Sequence, residues 1–348
     1  MIPRGFPTVL SPSGSPVLFT KGSGRLELAD AIIRQPIAIR VIVNRIWKGH
    51  MGSGIVDTPS NFGKNGERPV HPELLDYLAQ QFIDRGYSIK AIHREIMLSQ
   101  AYQLSSEPTT LTKANVEKDP SNRLYWRGTS SRMTAEQIRD AVLFVSGTLN
   151  TKMGGPSIAL SPMADRRTIY ARVSRVKNDD FLQLFDFPSP SQSAEKRFST
   201  NVPLQRLFFM NSDFMQQQAE RLAERVASEP TDEARIQKAY RLIYGRAATP
   251  AEVTAGREFL ASEPMRQYED KKAEAEKAKA DAAMKDTKDA PPDAAKPAAA
   301  PPVPADGMMA GVKPGAGGET DASKKLPVTT FGRYLKLLLS SNEFIFVG

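Results

Sequence analysis

The sequence predicts a mainly α fold: a multi-helix single domain with a small irregular β segment and a disordered insertion rich in Ala, Lys and Pro. Apolar residues recur every three or four positions in about nine segments, which is the spacing of one face of a helix. Those segments begin at capping residues or prolines, and several end near glycine. Apolar and polar residues alternate clearly in one short stretch, 167–174, which we predict to be a half-buried strand.

Prolines and glycines define the first elements. Residues 1–24 are predicted to form an extended lead-in, because prolines alternate with glycines there and disfavour a regular element. Helical spacing covers 25–35, and Pro36 can open the next helix because the first turn needs no backbone N–H at that position. Glycines at 49, 52 and 54 are predicted to end this second helix.

The later helices start at residues whose side chains can bond the free N–H groups of a first turn. Ser88 is a predicted N-cap, and Thr134 has capping-box spacing with Gln137. Thr249 and Glu252 have the same spacing. Helices are predicted over 71–86, 88–106, 134–150, 201–211, 212–228, 232–245, 249–262 and, followed by an apolar tail, from 329 onward.

The composition changes sharply near the C-terminus. One helical domain is predicted over 25–263, and a C-terminal helix within 327–348 is predicted to complete it. Between them, 264–326 is first a charged Ala/Lys/Glu run and then Pro, Ala and Gly without a period, which is typical of a solvated helix and a disordered linker. We expect the flanking helices to pack together and the insertion to contribute nothing to the core.

Residue counts exclude several chemistries. The 348 residues contain no cysteine, which excludes disulfides, thiolate metal sites and haem attachment through C-x-x-C-H. The three histidines, His50, His71 and His93, lie on different segments, so we expect no metal site and no cofactor in this chain. No apolar run approaches the roughly 20 residues of a membrane span, and the first residues lack the apolar core of a signal peptide.

The chain carries a formal net charge of +8 and has a pI near 9.5. Residues 268–325 have a net charge of −1, so the other 290 residues carry +9. Excess positive charge favours nucleic acid, anionic lipid or an acidic polysaccharide as a partner, although a solvated basic surface is the simpler explanation.

Two polar groups in apolar sequence are candidate sites. Asn44 and Arg45 interrupt an apolar helix beside Trp47, and buried polar groups need partners. They predict either a small polar pocket or a structural network that ties the helix to a loop.

The second candidate centres on Asp186, which is flanked by aromatic residues and followed by Arg197 and Asn201. A buried Asp needs a cation, which Arg197 or Arg45 could supply. In an apolar pocket the carboxylate could instead act as a general acid or base. We expect Asn44, Arg45 and Asp186 to be buried and close together.

Several segments of the sequence resemble one protein family. The segments IAIRVIVNRIWKGHMGSGIVDTPSNFG, HPELLDYLAQQF, LFDFPSPS and TNVPLQRLFFMNSDFMQQQAERLAERV are similar, in that order, to the planctomycete PSD-type domain of unknown function numbered 1553. The resemblance covers about 25–262 and 327–348. It implies the C-terminal part of a long exported or cell-envelope protein, with a cytochrome c-like domain and another uncharacterised domain upstream as partners. No established activity accompanies the resemblance.

The sequence therefore predicts a non-catalytic module that docks to partner domains or to an anionic polymer such as a polysaccharide. Its candidate binding residues are Asn44, Arg45, Trp47, Arg197 and Asn201. The alternative is a hydrolase or lyase acting on polysaccharide, with Asp186 or His50 in its site. Nucleic-acid binding is a weaker alternative because charge alone suggests it.

Overall fold

The computed structural model describes residues 3–11, 14–106, 112–264, 308 and 328–347. Over these ranges the predicted mainly α fold is confirmed, with two small two-stranded sheets as its β part. The described residues form two compact units, Met1–Ser131 (unit 1) and Arg132–Val347 (unit 2), where the sequence predicts one helical domain.

Unit 1 contains the first five helices. Its sheet pairs β1 and β2 antiparallel, with Phe6 opposite Val17. The elements are β1 Gly5–Phe6, β2 Val17–Leu18, α1 Arg25–Ile33, α2 Pro36–Met51, α3 Pro72–Asp84, α4 Ile89–Met97 and α5 Thr112–Lys118. The core lies where α2 packs against α3 and α4, and its fully buried residues include Val43, Ile55 and Ile92.

Unit 2 contains the other helices. The elements are β3 Ser131–Arg132, which begins at the last residue of unit 1, α6 Ala135–Ser146, α7 Asp180–Leu184, α8 Pro203–Asn211, α9 Asp213–Val226, α10 Asp232–Tyr244, α11 over 250–264, α12 Thr330–Leu339, α13 Asn342–Ile345 and β4 Phe346–Val347, which pairs with β3. Helix α9 lies at the centre and packs against α6, α8, α10 and α12.

A buried carboxylate joins α9 to α12. Glu220 is 3% exposed and accepts hydrogen bonds from the backbone N–H of Thr329 at 3.0 Å and from its hydroxyl at 2.7 Å. A Cβ atom at Gly332 would collide with this carboxylate, so the first turn of α12 needs glycine there. The negative side chain at a helix N-terminus also complements the helix dipole.

The predicted helix starts are confirmed in detail. Ser88 caps α4, and Thr134 with Gln137 forms a full capping box at α6. At α11, the hydroxyl of Thr249 accepts a hydrogen bond from the Glu252 N–H, and the Glu252 carboxylate accepts one from the Thr249 N–H. These local bonds satisfy N–H groups that have no partner within the helix.

The predicted strand over 167–174 is wrong. Thr168–Tyr170 forms a short 3-10 helix, and Ala171 makes only an isolated bridge to Ile158. The reason is a tertiary contact: both the N–H and the hydroxyl of Thr168 donate to the Asp140 carboxylate, at 2.7 and 2.6 Å. This contact fixes the backbone in a turn that the alternating pattern does not reveal.

The predicted insertion, 264–326, lies outside the described residues except for Pro264, the last residue of α11, and Met308. The Met308 side chain is 1% exposed and belongs to the core cluster of unit 2. The expectation that the insertion contributes nothing to the core is therefore wrong at this position.

Candidate functional site

Asp186 follows α7 in a left-handed backbone conformation, with φ at +63°. The N–H groups of Asp186 and Phe187 bond back to the carbonyl groups of Gln183 and Leu182, at 3.1 and 2.9 Å, and close the end of the helix. Such a turn usually carries glycine or asparagine, and aspartate is among the side chains that tolerate it. The turn aims the carboxylate toward Arg132 and Thr200.

Three donors hold the Asp186 carboxylate. Arg132 donates to it at 2.5 Å, and Thr200 donates through its N–H at 2.9 Å and its hydroxyl at 2.7 Å. Burial acts to raise the pKa of Asp186, but the hydrogen bonds from Thr200 and the Arg132 guanidinium outweigh it and hold the pKa below its ordinary value. The carboxylate is therefore fixed in its charged form.

The predicted cation for Asp186 is wrong: Arg132 pairs with it, and neither Arg197 nor Arg45 does. The Arg132 side chain is 7% exposed and also donates to the Gln205 side chain at 2.7 Å. Arg197 forms a two-pronged ion pair with Glu136 at 2.7 and 2.8 Å instead. Its guanidinium lies 5.2 Å from the centre of the Phe187 ring, while Asn201 is exposed.

A cleft of about 410 Å³ opens above this network. Its lining includes Asp186, Pro188, Lys196, Arg197 and Phe198. The Phe198 ring is 74% exposed, which leaves an aromatic face open at the rim. The cleft therefore combines an aromatic face with side chains of both charges, since Glu195 lines it together with Lys196 and Arg197.

A much smaller cleft, of about 10 Å³, adjoins the first. It is lined by residues that include Arg172, Val173 and Gln183, and it shares Phe187 and Pro188 with the larger cleft. These two residues form a common wall, with Arg172 on one side and Lys196 on the other. The sequence pattern alone does not reveal this arrangement.

The stretch 166–177 contains five basic and no acidic residues, a density that sequence inspection could have detected. Arg166 bonds the carbonyl of Pro156 and lies over the Tyr170 ring, and Arg167 lies 3.7 Å from Asp140. In the described part of the chain, the other three basic residues have no ion-pair partner: Arg172, Arg175 and Lys177.

Arg139 holds the start of this basic stretch from the core of unit 2. This residue was not identified from the sequence. Its side chain is completely buried and donates to the carbonyl groups of Arg166 and Ala164 and to the Thr168 hydroxyl. Burial lowers its pKa, and nearby carboxylates, Asp140 first among them, oppose that shift. These hydrogen bonds hold the backbone of 164–168 against α6.

Asn44 ties α2 to a loop. It is fully buried, and its side-chain amide accepts from and donates to the backbone of Val56, both at 2.9 Å. Trp47 is also buried, and its ring meets the Tyr125 ring edge-on at 5.1 Å. Arg45 is exposed, so the expectation that it is buried with Asn44 is wrong. Asn44 and Arg45 belong to unit 1, and Asp186 belongs to unit 2.

Two of the three histidines meet in unit 1. His50 Nε2 lies 2.6 Å from His93 Nδ1, and the Tyr102 ring contacts His50 edge-on at 5.6 Å. His71 occupies the N-cap position of α3, but its side chain makes no capping bond and packs near the Tyr125 ring. Across the described ranges, no three or more His, Asp or Glu side chains are grouped so as to hold a metal ion.

The His50–His93 contact predicts a loss of stability in weak acid. Burial, and then the neighbouring His93, lower the pKa of His50 below 6.5. The unfolded chain therefore binds more protons than the folded chain, and the free energy of unfolding falls as the pH drops from above 6.5 through the lowered pKa. We expect the wild-type Tm to decrease over this window, and His50→Gln to flatten the decrease in a thermal-melt series.

His71→Gln is the matched control, since it removes a histidine outside the pair. It should keep the wild-type pH slope of Tm. An equally steep slope in His50→Gln would contradict the assignment.

Among the described residues, no helix has both the length and the apolar character needed to cross a bilayer. A comparison with curated proteins found no match, and a comparison with solved structures found none either. A family model, PSD1, described as a protein of unknown function (DUF1553), matches residues 24–260, which is more than half of the chain. This match confirms the family resemblance over 25–260: the chain belongs to the PSD1 family.

Proposed function

We propose that this domain is a non-catalytic binding module and that unit 2 holds an acidic polysaccharide across the two clefts that share Phe187 and Pro188. The observation that carries the proposal is the placement of Arg172 in one cleft and Lys196 in the other. A polyanion that crosses the common wall would meet a cation on each side. The exposed Phe198 ring offers a flat apolar face for a sugar ring.

Two cations at these clefts, Arg172 and Lys196, are available to a polyanionic ligand, although carboxylates also line the clefts: Asp179 the smaller one, and Asp186 and Glu195 the larger one. Within the described residues, neither Arg172 nor Lys196 has an ion-pair partner, so neither must break a contact to bind an anion. Arg197 and Asp186, by contrast, are neutralised by Glu136 and Arg132. Carboxylates spaced along a polymer would therefore find cations that are free to bind them.

The state of Asp186 supports binding over catalysis. A general acid needs a carboxyl group that is protonated near neutral pH, which requires a raised pKa. The pKa of Asp186 is lowered, and its carboxylate already accepts bonds from Arg132 and Thr200. Its bonds to Arg132 and Thr200 are those of a structural residue that holds together the segments beneath the cleft.

Affinity electrophoresis in gels containing polygalacturonate tests the proposal. We expect the wild-type chain to be retarded, and Arg172→Glu/Lys196→Glu to bind about tenfold more weakly because two attractions become repulsions. The retardation should also weaken as salt is added, since both cations are exposed to solvent.

Lys90→Glu/Arg94→Glu is the control because it changes the net charge equally on exposed residues of α4 in unit 1. It should bind like the wild type. Equal weakening in both variants would show that net charge alone governs binding, and retardation in neutral dextran would show that the ligand need not be anionic. Either outcome would overturn the proposal.

A further inference from the structure

One loop in unit 2 exposes apolar side chains among cations. Val176 is 97% exposed, the highest fraction for any large apolar side chain in the described residues, and Val173 is 52% exposed. Arg175 and Lys177 flank Val176 directly. The backbone bends at 175–177, so this stretch is neither a helix nor a paired strand.

The cations of this loop are available for a partner. In the described part of the chain, neither Arg175 nor Lys177 forms an ion pair. The nearest following carboxylate, Asp179, is half-buried and accepts a hydrogen bond from the backbone N–H of Leu182 at the start of α7. Residues 172–177 contain three basic and no acidic residues, and the next exposed carboxylate is Asp180 at the start of α7.

The combination of exposed valines with neighbouring cations favours a lipid surface over the other anionic partners. A polysaccharide or a nucleic-acid backbone offers little apolar surface to a protruding valine. A stable protein interface usually buries about 800 Å² on each partner, which two valines cannot supply. An anionic bilayer accepts both features at once, because aliphatic tips enter the acyl boundary while long basic side chains remain at the headgroups.

We propose that the loop 172–177 is a peripheral docking site for anionic lipid bilayers. Val176 enters the headgroup region together with Val173, and Arg175 and Lys177 contact the lipid phosphates. This surface adjoins the smaller cleft, which Arg172 and Val173 line, but Arg175, Val176 and Lys177 lie outside that lining, so the proposal does not depend on the proposed function.

Sedimentation of the full chain with vesicles tests the proposal. The chain should bind vesicles of phosphatidylcholine mixed with phosphatidylglycerol, and should not bind vesicles of phosphatidylcholine alone. Arg175→Gln/Lys177→Gln should reduce the partition coefficient about 25-fold, at about fivefold for each charge near an anionic surface. Val176→Asn should reduce it about tenfold through loss of the buried apolar side chain.

Val9→Asn is the matched control, because Val9 is 89% exposed and lies in unit 1. It should leave vesicle binding unchanged. Wild-type binding by Val176→Asn, or no binding of the wild type to the anionic vesicles, would overturn the proposal; the second result would point to an acidic protein surface instead. Val176→Asn should retain polygalacturonate binding, which separates this proposal from the previous one.

Discussion

Arg132→Met is expected to lower the free energy of unfolding by about 3–5 kcal/mol, because it leaves the Asp186 carboxylate without its cation. The two side chains are only 7% and 15% exposed, so water cannot fully replace the lost contact. The same change removes the donor to Gln205. Chemical denaturation, followed by circular dichroism, measures the effect.

Asp186→Asn is the companion variant. Asparagine tolerates the left-handed backbone at this position and can still accept hydrogen bonds from Thr200, so the loss should be smaller than for Asp186→Ala. If Arg132→Met and Asp186→Ala both unfold like the wild type, the pair does not brace unit 2 and the description of the segments beneath the cleft is wrong.

Arg139→Leu is expected to lower the free energy of unfolding by at least about 3 kcal/mol, because each buried acceptor left without a donor destabilises the fold by about 1–3 kcal/mol. The variant strands the carbonyl groups of Arg166 and Ala164 and the hydroxyl of Thr168. Leucine fills part of the space but supplies no donor. Denaturant unfolding gives the loss, and hydrogen exchange should show faster exchange at 164–168.

Arg139→Lys separates charge from geometry at this position. Lysine keeps the positive charge but lacks the planar guanidinium with which Arg139 bonds three acceptors. The free energy of unfolding of Arg139→Lys should therefore lie between those of the wild type and Arg139→Leu. A leucine variant as stable as the wild type would mean that water satisfies these acceptors.

Local signals account for the parts of the fold that the sequence could predict. Thr134 with Gln137, and Thr249 with Glu252, are read from side-chain spacing because the capping bonds form within four residues. The strand prediction for 167–174 was wrong because the conformation of this stretch depends on Asp140, which lies 28 residues before Thr168. Contacts of that kind leave no periodic trace in the sequence.

The candidate site was predictable only in part. The apolar setting of Asp186 indicated a paired carboxylate, but its partner Arg132 is 54 residues away, and nothing local favours it over Arg197. The His50–His93 contact is hidden for the same reason. Met308 lies in a Pro, Ala and Gly stretch without an apolar pattern, so its burial could not be expected.

The central claim, that unit 2 holds an acidic polymer across the Phe187–Pro188 wall, is tested most directly by hydrogen exchange on the full chain with and without polygalacturonate. We predict slower exchange in peptides that cover 172–183 and 186–198, the two linings of the clefts, and unchanged exchange in α2 to α4 of unit 1. Protection confined to unit 1, or no protection at a polymer concentration that saturates binding, would contradict the account.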